Sequence, residues 1–112
     1  IAYRNMKNLM EQPDPPTAIF TSNNMMTLAC VRYLLQKGFR IGEDISLIGF
    51  DEIEMFELLN IRISTVTRSE EEMGEAAMEM ILRRMKDGIK EHECLMLSTS
   101  LVFRGSEMCR SL

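Results

Sequence analysis

Polar residues follow three strand-like segments of the chain, 17–21, 45–50 and 63–67, each rich in apolar and β-branched residues. If these strands are parallel, their carboxyl ends meet at one edge of a sheet, where ligands of α/β proteins bind. All six polar side chains can form hydrogen bonds. They are Asn23, Asn24, Asp51, Glu52, Thr67 and Arg68. The spacing therefore predicts a polar binding site.

Each of these residues also has a local structural interpretation. Asn23 and Asn24 are residue types that cap helices, and Asp51 could cap a helix that begins near Ile53. Arg68 could lie in solvent. The residues alone leave both interpretations open.

Catalytic and metal-binding patterns are not found. The chain has no GxSxG, GxGxxG or GxxxxGK[ST] motif, and its one histidine, His92, lies between two glutamates in a charged segment. Asp51 and Glu52 are adjacent, so on an extended chain they point to opposite faces, unlike the facing pair of a glycosidase. The three cysteines form no zinc-ligand spacing. We expect no enzyme activity, no metal site and no cofactor.

Composition limits the compartment and the partners. The chain has 112 residues, a net charge of −4 and scattered basic residues, so it shows no phosphate-binding footprint. It has neither an apolar run of about 20 residues, as a membrane span needs, nor a signal peptide pattern. Three cysteines cannot all pair, which favours reduced thiols. We expect a cytoplasmic protein without a membrane partner.

The elements alternate between strand and helix. Helices are expected over 2–11, 25–37 and 70–88, with a short one after Ile53, and further strands over 94–97 and 101–104. Ser69 and Glu72 form a capping box for the third of these helices, which ends at Gly88. This alternation with short connections predicts an α/β fold, a parallel sheet flanked by helices.

The second helix has no charged residue between Met25 and Val31. A helix on a sheet buries only one apolar stripe, so something else is expected to cover the rest. Either the helix is deeply buried, or its outer side forms a subunit contact. The sequence leaves this open.

Five motifs in order resemble the C-terminal part of LacI/GalR-family bacterial transcriptional regulators. They are PTAIFTSNN at 16–24, EDISLIGFDE at 43–52, STVT at 64–67, MG at 73–74 and LVFRGS at 101–106. The resemblance implies an incomplete effector-binding domain, the C-terminal lobe of a type I periplasmic-binding-protein-like fold. Residues 1–68 and 100–108 would form that lobe, and 69–98 would belong to the N-terminal lobe.

The resemblance also implies ligand-binding roles for Asn23, Asp51 and Arg68. The chain departs from the family pattern at four positions, which are Asn24, Glu52, Arg62 and Arg68. A carboxylate and an amide suit vicinal hydroxyls, so a sugar is the leading effector and a nucleobase-like molecule the alternative. Operator DNA would be bound only by an N-terminal helix-turn-helix that this chain does not contain.

A homodimer is expected from the same resemblance, in which equivalent helices meet across a two-fold axis. The predicted interface consists of Leu28, Met55, Leu58 and Leu59. Two other functions are alternatives: a periplasmic sugar-binding protein of a transporter, which shares the fold and the cleft but is usually monomeric, and an interaction or structural domain without a ligand.

Overall fold

The computed structural model describes residues 1–88 and 91–108 and contains four helices and four strands there. The helices are α1 (Ala2–Met10), α2 (Asn24–Gln36), α3 (Glu54–Leu58) and α4 (Glu70–Asp87). The strands are β1 (Ala18–Phe20), β2 (Ser46–Phe50), β3 (Ser64–Thr67) and β4 (Ser100–Val102). The predicted helices all form, whereas the strand expected over 94–97 does not.

The sheet has the order β1-β2-β3-β4, and β2 pairs in parallel with both β1 and β3. Ile48 of β2 is opposite Phe20 on one side and Ser64 on the other. The predicted α/β fold is therefore confirmed: β1, β2 and β3 are parallel within a mixed sheet of four strands, and their carboxyl ends share one edge.

By contacts, the chain divides into two compact units. The first consists of Ile1–Thr67 and the chain from Leu101 onward, and the second of Arg68–Ser100. The core lies in the first unit, where α1 packs on α2 and α2 on β2. Its largest fully buried apolar side chains are those of Met6, Leu34 and Leu47.

Only one face of β1 is covered, although a short apolar run such as 17–21 is typical of a strand buried on both faces. Ile19 packs against the core, whereas Ala18 and Phe20 are exposed. β1 is an edge strand, and α2, which packs on β2, lies on the side of Leu47 and Gly49. Alternation along a strand therefore leaves Phe20 on the uncovered face.

The second unit contains α4, whose ends form as the sequence predicts. The Ser69 hydroxyl accepts a hydrogen bond from the Glu72 N–H at 3.0 Å, and Gly88 ends the helix in the left-handed conformation with φ of 65°. Although the helix is amphipathic, none of its residues is buried. The assignment of 69–98 to another lobe stays a prediction.

Candidate functional site

Asn23 caps α2. Its Oδ1 accepts a hydrogen bond from the Met26 N–H at 2.9 Å, and its backbone carbonyl accepts from the Thr27 N–H at 3.0 Å. The local interpretation of this residue is therefore correct. The same side chain is exposed, and its Nδ2 group takes no part in the cap, so the cap does not preclude a donated hydrogen bond to a ligand.

Asp51 follows β2 directly and does not cap α3. The residue before α3 is Ile53, and no side chain caps that helix. Asp51 instead has a φ of 68°, the left-handed region, and its N–H donates to the Val66 carbonyl at 2.9 Å. Aspartate is one of the few residues that tolerate this conformation. The turn therefore has a defined geometry at the carboxyl edge of β2.

Asn23 and Asp51 thus lie in the same unit, beyond the ends of neighbouring parallel strands. Their side chains supply an amide and a carboxylate, which together donate to and accept from hydroxyl groups. Arg68 is the first residue of the other unit, where its Nη1 donates to the Met73 Sδ at 2.9 Å. Arg68 is half-buried rather than fully in solvent.

Glu52 belongs to a network that the sequence did not reveal. Its Oε1 accepts from the Thr65 Oγ1 at 2.8 Å and from the Arg104 Nη2 at 2.9 Å. Arg104 Nη1 also donates to Thr65 Oγ1 at 2.9 Å and to the Ile63 carbonyl at 3.0 Å. Glu52 and Arg104 are 52 residues apart in sequence. No local pattern marks such a pair, so only tertiary structure identifies it.

A cavity of about 500 Å³ opens beside this network. Its apolar floor includes the buried side chains of Phe56 and Ile63. Glu52, Thr65 and Arg104 line one side of it. The volume is in the range of small-molecule pockets.

Phe20 is a second feature that sequence analysis missed. It is the last residue of β1, at the same edge as Asn23 and Asp51, and its side chain is 60% exposed. The sequence signal was the short apolar run, which predicted a buried residue. An exposed aromatic ring beside polar groups can stack on the flat apolar face of a ring-shaped ligand.

The predicted interface residues Leu28, Met55, Leu58 and Leu59 are all exposed. Leu58 is 87% exposed, the highest value among these four. The charge-free side of α2 is therefore not covered by the described part of this chain. Within the charge-free stretch, this exposure rules out the deeply buried interpretation for Met25, Met26 and Leu28.

In 1–88 and 91–108, no three His, Cys, Asp or Glu side chains form a group that could hold a metal ion. Within the same part of the chain, no helix is long and apolar enough to cross a bilayer. Burial raises the pKa of the Cys30 thiol, and Cys94 is exposed. Cys109 lies outside the described residues.

The chain is similar to known transcriptional repressors. It is 36% identical over 92 residues to the HTH-type transcriptional repressor PurR of Aliivibrio salmonicida, covering 82% of this chain and 27% of that protein. It is 31% identical over 101 residues to the ribose operon repressor of Haemophilus influenzae, covering 90% of this chain and 30% of that protein. The chain thus spans less than a third of these relatives' length.

Fold comparison agrees with the sequence relatives. A LacI family transcriptional regulator from Enterococcus faecium, solved with bound ribose, matches 96% of this chain and 39% of its own with a TM-score of 0.78 and 27% identity. Residues 1–107 match the family described as periplasmic binding protein-like domain. The chain therefore belongs to the LacI/GalR-type regulators, as part of their periplasmic-binding-protein-like effector domain.

Proposed function

We propose that this chain is the effector-sensing and dimerisation portion of a bacterial transcriptional repressor, that it works in the cytoplasm and that it is not an enzyme. The observation that carries the proposal is Asp51, which the turn after β2 holds at the carboxyl edge of a parallel sheet. Repressor relatives support it, and they favour a regulator over a transport protein.

A sugar is the effector class that this edge fits best. The Asp51 carboxylate can accept hydrogen bonds from two vicinal hydroxyls, and Asn23 Nδ2 can donate one. Phe20 adds an exposed ring at the same edge. The ribose-bound regulator with the same fold supports this choice, and a nucleobase-like ligand is the alternative. For Arg68 we retain the ligand-binding role that the family resemblance implies.

Operator DNA would be bound by a helix-turn-helix outside this chain, since the chain is acidic with a net charge of −4. The exposed leucines and methionine of α2 and α3 would form the homodimer contact, because an apolar surface of this kind favours a self-complementary interface. A palindromic operator has two half-sites, so it is bound by two copies of the protein related by a two-fold axis.

The test is Asp51→Ala in the full-length protein, with binding measured by calorimetry against a panel of pentoses, hexoses and nucleobases. A charge-assisted hydrogen bond to the effector is worth about 1.5–3 kcal/mol, so affinity for the ligand that binds the wild type should fall at least about tenfold. Asp51→Asn keeps the size of the side chain and loses its charge, so its affinity should lie between those of the wild type and of Asp51→Ala.

Asp14→Ala is the matched control, because Asp14 is an exposed carboxylate in the loop between α1 and β1. It should bind like the wild type, and all three variants should keep the wild-type circular dichroism. Unchanged affinity in a folded Asp51→Ala protein would refute the assignment of this residue.

A further inference from the structure

The turn that places Asp51 is conformationally demanding. A non-glycine residue with φ of 68° persists only where its surroundings hold it, because other backbone conformations are intrinsically more favourable. The N–H of Asp51 bonded to the Val66 carbonyl holds one side of the turn. The residue that follows, Glu52, holds the other.

Glu52 is anchored at a single oxygen by two donors. Thr65 Oγ1 and Arg104 Nη2 both donate to its Oε1, at 2.8 and 2.9 Å. Arg104 is itself fixed by the Ile63 carbonyl and by Thr65, so its guanidinium connects β3 to the turn after β2. Planar guanidinium groups with several bonds hold a defined orientation better than ammonium groups do.

The network is too exposed to act mainly as a stabilising ion pair. The side chains of Arg104 and Glu52 are 29% and 41% exposed, and pairs that face solvent contribute little to the free energy of unfolding. The network nevertheless fixes the conformation of Glu52, the residue next to Asp51. If the network served only to stabilise the fold, its removal would cause a large decrease in the free energy of unfolding.

We propose that Arg104 and Thr65 are positioning residues for effector recognition, acting through Glu52 to keep Asp51 in its left-handed conformation. This inference rests on the proposed function of Asp51. Neither Arg104 nor Thr65 contacts the effector. Their removal lets the Asp51 turn sample other conformations, and only the fraction of molecules with the correct turn binds.

The first measurement is amide hydrogen exchange of Asp51 in the full-length protein, read without any ligand. Arg104→Ala and Glu52→Ala should speed exchange at this amide about tenfold or more, while the amides of Val31 and Leu34, which lie within α2, stay as protected as in the wild type. Glu54→Ala is the matched control, because Glu54 is an exposed carboxylate that lines the same cavity and should leave exchange at Asp51 unchanged.

The second measurement is affinity for the sugar or nucleobase that binds the wild type. Affinity should fall in Arg104→Ala and in Glu52→Ala. It should fall less in Glu52→Gln, which retains an oxygen acceptor. Arg104→Lys retains the charge but has one nitrogen in place of the two that make the three side-chain hydrogen bonds, so it should resemble Arg104→Ala. Should Arg104→Ala fail to fold, Glu52→Gln and Arg104→Lys provide the same comparison.

The two measurements separate this inference from the proposed function. Unchanged exchange at Asp51 in folded variants of both Arg104 and Glu52 overturns the positioning role. Faster exchange with unchanged affinity shows that the network anchors the turn without governing effector binding, which overturns the positioning role, whereas the role of Asp51 itself is tested by the affinity of Asp51→Ala. Exchange that rises equally at Val31 and Leu34 shows a general loss of stability and also overturns the positioning role.

Discussion

Glu107 shows how a single carboxylate fixes the chain after β4. Its side chain accepts hydrogen bonds from the Ser64 hydroxyl and from the Gly105 N–H, and Ser64 Oγ in turn accepts from the Arg104 N–H at 2.8 Å. The Ser64 hydroxyl and nearby backbone N–H groups lower the pKa of Glu107 below its ordinary value. The segment that carries Arg104 therefore depends on an ionised group.

Stability should accordingly change with pH through Glu107. The lowered pKa means that ionised Glu107 stabilises the folded state above the carboxyl's ordinary pKa, and that this contribution is lost as pH falls through the lowered folded value. We expect Glu107→Gln to be less stable than the wild type at pH 7 and the difference to shrink in acid. Urea denaturation of both proteins in steps from pH 7 to pH 3 measures it. A pH-independent difference would contradict the assignment.

At the scale of elements, β2 and α2 meet at a glycine. A Cβ added to Gly49 would lie 2.9 Å from Thr27 Oγ1, and Thr27 is fully buried. The Thr27 hydroxyl also shares a 2.6 Å hydrogen bond with Thr21. The helix therefore approaches the sheet so closely that a side chain at position 49 must displace buried atoms.

Gly49→Ala should destabilise the protein by about 1–3 kcal/mol, the usual cost of overpacking a core. Gly74→Ala is the matched control, since a Cβ there meets nothing within 4 Å in α4. Alanine in a helix interior is favoured over glycine by about 0.5–1 kcal/mol, so the control should be stabilised or unchanged. Thermal and urea unfolding compare the two, and a Gly49→Ala protein as stable as the wild type would show that α2 can move away from β2.

Local signals explain which elements the sequence could predict. Caps such as Ser69 and Gly88 act within a few residues, so the bounds of α4 follow directly from the residues. The run 94–97 is apolar but forms no strand, because a strand needs a hydrogen-bonding neighbour, which apolarity does not specify. The same limit applies to the site. The location of Asp51 at the sheet edge can be predicted from the alternation of strands and helices. The Glu52–Arg104 pair and the exposure of Phe20, by contrast, depend on tertiary contacts.

At the scale of the whole molecule, the exposed apolar residues of α2 and α3 bear on assembly. Met25, Met26, Leu28 and Leu35 on α2 and Met55, Leu58 and Leu59 around α3 are exposed within the first unit. Contiguous apolar surface costs free energy in water, and a two-fold contact removes it from both copies at once. We therefore expect dimerisation to be a property of this unit rather than of the DNA-binding segment.

Leu28→Glu tests this surface directly. In a two-fold contact, residues near the axis meet their own copies, so a carboxylate at position 28 brings two like charges into an apolar interface. Sedimentation velocity of the full-length variant at micromolar concentration should show monomers, whereas the wild type should be dimeric.

Leu9→Glu on α1 is the matched control, because Leu9 is 44% exposed and Leu28 is 42% exposed, yet Leu9 lies outside the proposed interface. The control should remain dimeric and unfold close to the wild-type temperature, whereas Leu28→Glu should keep the wild-type circular dichroism but lose the stabilisation that dimerisation provides. Operator affinity should fall in Leu28→Glu alone, since a monomer contacts only one half-site. A folded Leu28→Glu protein that sediments as a dimer would show that the two-fold axis passes through another surface.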